Sequence, residues 1–268
     1  DGKLAVVTGG GGGMGGATSR LFAAAGATVV LNEIDPELAA ATQADIEGAG
    51  GRAVTVVGDI RDKATVARLR DVAVETGEGR VDVLINNVGD FHPNGLFART
   101  EEDEWDAQYA ITLQHVFRCT RAILPVMQAQ GGGTIVNNST VEAMRGIPYH
   151  SVYSAFNAGI IAFTKSLAIE VGRDGIRVNC IAPDMADTLQ TPAAAMLRGR
   201  DPELIKCWIP IGRFGLPDEY ANVFLFLASD QSSYVTGHTI PVDGGTIAAS
   251  GWYGRYQKKG FTNLPDSP

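Results

Sequence analysis

The sequence predicts a single α/β domain in which a doubly wound parallel sheet is covered by helices on both faces. Three observations lead there. An apolar strand runs straight into a glycine turn and a helix at the N-terminus, strand-like and helical segments then alternate to about residue 245, and 268 residues that are 45% hydrophobic can bury one large core. Strands separated by helices of a dozen or more residues need right-handed crossovers, which produce a parallel sheet.

The first strand is Leu4-Ala5-Val6-Val7-Thr8 at 4–8, and the helical pattern at 14–25 follows it across Gly9 to Gly13 and Met14-Gly15-Gly16. Strand, side-chain-free turn and helix N-terminus in that order make a pyrophosphate cradle, because glycine lets backbone N–H groups approach phosphate oxygens at the positive end of the helix dipole. A flexible glycine loop with no ligand is the alternative. The β-branched run at 27–32 is a second buried strand, and it ends beside Glu33. A carboxylate about 20 residues past the glycines accepts hydrogen bonds from the adenosine ribose and repels a 2′-phosphate. Glu33 therefore predicts NAD rather than NADP, unless it is an ordinary solvated strand-end carboxylate. Between Lys3 and Arg52 the one basic residue is Arg20.

Further strands are expected at 53–58, 81–86, 133–138, 176–181 and 239–242, with helices at 36–48, 62–77, 102–129, 152–172, 202–206 and 217–228. Ligands of such sheets lie at the carboxyl ends of the strands. The residues found there are Asp59-Ile60, Asn86-Asn87-Val88-Gly89, Ser139-Thr140 and Pro183-Asp184.

A net charge of −8 opposes a nucleic-acid or anionic-membrane surface. Cys119, Cys180 and Cys207 are too few and too scattered for a disulfide frame or a metal cluster, so no metal is expected and a reducing cytoplasm fits. No unbroken apolar run reaches the ~18 residues that span a bilayer, and the N-terminus carries no signal-peptide pattern.

Thr8-Gly9-x-x-x-Gly13-x-Gly15, Asp59, Asn86-Asn87-Val88-Gly89, Tyr153, Pro183 and Val235-Thr236-Gly237 with Val242-Asp243-Gly244-Gly245 recur in order over residues 1–245, and in this the chain resembles the short-chain dehydrogenase/reductase family. The resemblance implies a Rossmann-type fold with bound NAD, assembled as a homodimer or homotetramer. It places Gly13, Met14 and Gly15 against the pyrophosphate, Asp59 near the adenine, Asn86 to Gly89 along the cofactor wall and Thr188 on the carboxamide side.

The active site departs from the family pattern. Tyr-x-x-x-Lys is replaced by Tyr153-Ser154-Ala155-Phe156-Asn157. Residues i and i+4 share a helix face, so Asn157 has the position of the lysine without its charge. A phenol with a reference pKa of about 10 is roughly one part in a thousand ionised near neutrality, so loss of the cation should slow proton transfer. The usual serine is Thr140, with Ser139 before it; the usual helix asparagine is Thr112; and the glycine after Pro183 is Asp184. Lys165 lies twelve residues beyond Tyr153, about 18 Å along the same helix, and cannot replace the cation. His150 and His92 are candidate acid/base groups, or loop-surface histidines.

The stretch at about 184–210 occupies the place of the family's substrate lid. With Phe91, Ile147, Tyr149, Met196 and Trp208 it suggests an apolar small molecule, cyclic or aromatic forms included, although Met196 and Trp208 equally suit a packed core. Residues 246–268 form an extension with Trp252, Tyr253, Tyr256 and Phe261, which would close a site in this or a neighbouring subunit. The helix at 152–172 is apolar on more than one face, as expected of a contact between subunits. Three functions follow: an NAD(H)-dependent alcohol dehydrogenase or carbonyl reductase with Tyr153 as acid/base; a redox-neutral lyase, dehydratase or epimerase retaining NAD; or a catalytically silent NAD-binding homologue.

Overall fold

The computed structural model describes residues 2–90 and 95–263. Seven parallel strands form one sheet: β1 (Leu4–Thr8), β2 (Thr28–Glu33), β3 (Arg52–Val57), β4 (Val83–Asn86), β5 (Gly133–Asn138), β6 (Ile176–Pro183) and β7 (Thr239–Val242), in the order β3-β2-β1-β4-β5-β6-β7. The order reverses between β1 and β4, and the crevice that such a reversal opens at the carboxyl ends is where ligands of these sheets bind.

Alternation along the strands sends successive side chains to opposite faces and makes two cores. Val6, Leu84, Ile135 and Val178 meet Leu69, Ile123 and Leu167 on one face. These come from α3 (Lys63–Thr76), α5 (His115–Gln130) and α6 (Ser151–Val171). Ala5, Val29, Ile85 and Val136 meet Phe22 and Phe224 on the other, from α1 (Gly13–Ala24) and α9 (Pro217–Ala228). The helix α2 (Pro36–Gly48) starts where the sequence signals it, with Pro36 in the first turn and the Asp35 side chain accepting from the Glu37 and Leu38 N–H groups at 2.8 and 3.3 Å.

The helix expected over 102–129 is two helices, α4 (Glu102–Tyr109) and α5, joined by a π-helical turn at Ala110–Gln114. A π turn keeps the chain helical and needs no glycine or proline, so the sequence carries no mark of it. The helix expected at 202–206 is a 3₁₀ turn, Pro202–Leu204, followed by the single-turn α8 (Ile205–Trp208), and the lid has a short helix of its own, α7 (Ala193–Leu197). After α10 (Thr246–Ala249) the extension folds back as a two-stranded antiparallel hairpin, β8 (Tyr253–Gly254) with β9 (Phe261–Thr262). It rests on α8, where a side chain at Gly254 would stand 2.4 Å from the Lys206 carbonyl oxygen.

Despite lacking an unbroken apolar run, residues 151–174 form a helix long and apolar enough to cross a membrane, with mean hydropathy 1.3. In this fold α6 lies along the sheet, burying Ile160, Leu167 and Val171.

Candidate active site

The glycine turn is built by exclusion. A Cβ at Gly15 would lie 2.0 Å from the Gly9 carbonyl oxygen, and one at Gly10 would lie 2.7 Å from the Leu31 Cβ. Gly9 and Gly13 have φ of +60° and +50°, a region that side chains disfavour. The loop is therefore pressed onto β2 and α1 with its backbone bare. Gly9, Gly13 and Met14 line a cleft of about 560 Å³ that runs along the carboxyl ends of the strands. Gly15 does not: it is buried behind the loop, in the close packing that lets α1 start there.

Glu33 lines the same end of the cleft and is 8% exposed. Its Oε2 accepts from Gly11 N–H at 3.1 Å and its Oε1 from Ile34 N–H at 2.8 Å, so the carboxylate also fastens the turn to the end of β2. Asp59 and Ile60 follow β3, the strand beside β2, and line the cleft next to it. Arg61, which sequence reasoning passed over, bonds both Asp59 oxygens, at 3.0 Å from Nε to Oδ1 and 2.6 Å from Nη2 to Oδ2. That guanidinium holds the Asp59 carboxyl below its ordinary range.

The wall after β4 is anchored by buried amides. Asn86 Nδ2 reaches Asn137 Oδ1 at 2.9 Å, Asn137 Nδ2 reaches Thr164 Oγ1 at 2.9 Å, and Asn87 N–H donates to Thr8 Oγ1 at 2.9 Å. Asn87, Val88 and Gly89 line the cleft, and Pro183 and Thr188 face them from the end of β6 and the lid. Thr188 approaches the glycine turn, 3.6 Å from where a Gly13 Cβ would be.

Tyr153, Asn157, Thr140, Ser139 and His150 meet at the far end of the cleft. Tyr153 and Thr140 are hydrogen-bonded, and burial pushes the phenol up to about 12, with the carboxylates of Glu142, Asp90 and Asp184 adding to the rise. Asn157 is 3% exposed, and its Nδ2 donates to the Tyr153 carbonyl at 3.0 Å. The amide is thus turned back on its own helix, adding a second donor to the carbonyl one turn earlier. Ser139 Oγ donates to the Asn157 carbonyl at 3.0 Å and so supports the helix. Burial lowers the His150 pKa. Lys165 is exposed to solvent, and Phe91 and His92 lie outside the described residues.

A cation does stand near this end. Arg145 Nη2 bonds Glu142 Oε1 at 3.0 Å and Asp184 Oδ2 at 2.9 Å, and Thr246 Oγ1 also donates to Asp184. Glu142 and Asp184 line the cleft, so the guanidinium is spent on carboxylates of its own site. The sequence signalled one half of this link, the i,i+3 pair Glu142 and Arg145.

Ile147, Leu189 and Met196 make the wall of this end apolar, whereas Trp208 stands edge-on to Phe214 away from the cleft. The lid is fastened to the wall by Gln190, whose Nε2 donates to Asp90 Oδ1 at 3.0 Å. In the extension, Trp252 and Phe261 are exposed and the Tyr256 hydroxyl donates to Asp201 Oδ2 at 2.7 Å; none of them borders the cleft.

Residues 10–246 match the family model described as enoyl-(acyl carrier protein) reductase. The chain is 39% identical to the 3-oxoacyl-(acyl-carrier-protein) reductase FabG of Thermotoga maritima, over 92% of this chain and 98% of that one. It is 37% identical to the (2S)-((R)-hydroxy(phenyl)methyl)succinyl-CoA dehydrogenase subunit BbsD of Thauera aromatica, over 93% and 98%. Among solved structures, levodione reductase superposes with a TM-score of 0.85 at 33% identity, over 92% of this chain and 98% of that one.

Proposed function

We propose a function from one premise: the chain belongs to the short-chain dehydrogenase/reductase family. Its relatives are dehydrogenases and reductases, and this chain is an oxidoreductase of that class. The finer reading is an NAD(H)-dependent enzyme that interconverts an alcohol and a carbonyl on an apolar small molecule and works best as a reductase. The observation that carries it is the half-buried Tyr153 beside Thr140 at the apolar end of the cleft, where its surroundings push the phenol pKa up to about 12.

The glycine turn fits a nicotinamide dinucleotide: its backbone is bare, it opens α1, and Glu33 lines the cleft at the end of β2, where a carboxylate would accept from an adenosine ribose. A nicotinamide held along this cleft supplies or takes up a hydride. For the residues of the chain the task is then the proton. With its pKa near 12, Tyr153 keeps its proton at neutral pH and can deliver it to a substrate oxygen as negative charge develops there. Acting as a base in the oxidative direction it is handicapped, since the phenolate fraction rises about tenfold per pH unit and is small at neutrality. Thr140 would orient the phenol, and Ile147, Leu189 and Met196 give the reacting end an apolar wall.

Calorimetry and turnover test this together. NAD(H) should bind more tightly than NADP(H), and Glu33→Ala should narrow the difference. Tyr153→Phe should lower turnover by about 10²–10⁴-fold and leave nucleotide affinity within about twofold. Equal binding of NADP would overturn the cofactor choice, and activity of the Phe variant close to that of the parent would pass the proton to His150.

One observation favours a second reading, that of a redox-neutral enzyme with bound NAD: the lysine position is a neutral Asn157, while Glu142 and Asp184 bring carboxylates to the same end. For assembly, the outer face of α6 exposes Ala155, Ala158, Ala162 and Ile169, which supports packing against a second copy of the chain, measurable by light scattering.

A further inference from the structure

The wall loop after β4 has three consecutive carbonyls, those of Val88, Gly89 and Asp90, that are each met by a side chain from elsewhere in the fold. His115 Nε2 lies 3.0 Å from the Val88 oxygen, Gln190 Nε2 lies 3.4 Å from the Gly89 oxygen, and Gln108 Nε2 lies 2.7 Å from the Asp90 oxygen. Gln190 belongs to the lid. Gln108 and His115 belong to α4 and α5, on either side of the π turn that brings Ile111 and Thr112 to the cleft wall.

Both helix residues are 0% exposed. The Gln108 amide also donates to Thr112 Oγ1, so one buried NH₂ group ties the wall loop to the π turn. A carbonyl can only accept, so His115 Nε2 carries the hydrogen and the ring is the neutral Nε2–H tautomer. Its Nδ1 is then a buried acceptor with no hydrogen-bond partner among the described residues, and the Ile111 carbonyl, itself an acceptor, is the other backbone group acting on the ring. A buried acceptor left unpaired is unfavourable, and a leucine would fill this space without one. What the histidine adds is its bond to the wall.

We propose that Gln108 and His115 are positioning residues: donating from beneath to the Asp90 and Val88 carbonyls, they fix the wall loop in the conformation that admits a nicotinamide nucleotide, and the lid closes on a wall already set. This rests on the cofactor reading given above, but the clamping of the loop can be measured without any nucleotide.

Hydrogen exchange on the nucleotide-free protein and calorimetry with NAD, applied to His115→Leu, His115→Gln and Gln108→Leu, test it. In the two leucine variants the Gly89 and Asp90 amides should exchange at least about tenfold faster, and NAD should bind about five- to tenfold more weakly. Glutamine at 115 can place an N–H near the lost Nε2, so His115→Gln should recover both readouts to within about twofold. Leucine variants that match the parent in exchange and affinity would overturn the proposal, as would a glutamine variant no better than leucine. If His115→Leu does not fold, Gln108→Leu and His115→Gln decide the same question. A parent protein that binds no nicotinamide nucleotide would sink the cofactor reading, with the clamp still decided by the exchange rates.

Discussion

A Cβ on Gly15 would stand 2.0 Å from the Gly9 carbonyl oxygen, whereas at the other end of the same cleft Asn157 is held by one hydrogen bond from its amide to the Tyr153 carbonyl at 3.0 Å. The glycine end is fixed by repulsion: backbone meets backbone, and one residue type fits. The reacting end is fixed by polar bonds among side chains, such as Arg145 to Glu142 and Asp184, and many residue sets would satisfy comparable geometry. Repulsion between backbones has no substitute, but a hydrogen bond or ion pair can be replaced by another. A cofactor site would then hold to the pattern expected from the sequence while the residues beside it, here Asn157, Thr140, Thr112 and Asp184, are free to differ from that expectation.

The largest effect should come from breaking the steric end. Gly15→Ala forces backbone apart at the start of α1 and should cost at least about 3 kcal/mol of stability together with nucleotide binding. Gly12→Ala is the control: its Cβ would sit 3.4 Å from Leu38 Cδ1, an ordinary contact, and its φ of −145° suits any residue. Thermal unfolding of the two variants measures the contrast. Equal melting temperatures would mean that the turn can shift and that repulsion does not define this end.

Between the two ends, the buried His115 gives the wall a pH dependence of its own. Burial pushes its pKa down to about 4, from an ordinary value near 6.5, against the opposing pull of the Val88 and Ile111 carbonyls and the Asp59 carboxylate. Below pH 6.5 the unfolded chain takes up a proton that the folded chain refuses. Stability is therefore lost as pH falls from 6.5 towards 4, and this group removes no more below that. At pH 5 the loss is about 2 kcal/mol relative to pH 7. Arg61 and Arg118 are the nearby cations: Arg61 is paired with Asp59, and Arg118 donates to the Arg61 carbonyl. Denaturant unfolding at pH 7 and pH 5 should show the loss in the parent and a smaller one in His115→Gln. An identical loss in both would assign the acid sensitivity to other groups.

What the sequence made legible divides along the same line. Buried strands and the glycine turn announce themselves locally, since β-branched runs and side-chain-free residues can be read within a window of ten, and all seven strands lie within two residues of their expected places. The pairing of Tyr153 with Asn157 was readable because i and i+4 on a helix are neighbours in any fold. The link from Arg145 to Asp184 was not, because it joins residues 39 apart whose meeting depends on how β5 and β6 pair. Gln108 and His115 were hidden for a related reason: only the π turn and the course of the wall loop show what a glutamine near the end of the acidic α4 and a histidine at the start of α5 are bonded to.

The smallest expected effect is the most discriminating, because it asks whether the polar end tolerates the residue that the family pattern would place there. Asn157→Lys sets a cation one helical turn from Tyr153, where the carboxylates of Glu142, Asp90 and Asp184 now help burial to hold the phenol near 12. A cation there favours the phenolate and must lower that value. For a reductase the consequence is asymmetric. Oxidation, which needs the phenolate, should accelerate about tenfold at neutral pH for each unit by which the pKa falls, and its pH profile should move down by the same amount. Reduction, which uses the proton already present, should change less. For a redox-neutral enzyme the same cation would disturb chemistry arranged without it, and the native reaction should slow. Steady-state rates in both directions from pH 6 to 10 separate these outcomes. A variant with rates and profile unchanged would show that Tyr153 is not the titrating group, and the proton would then have to come from elsewhere in the cleft.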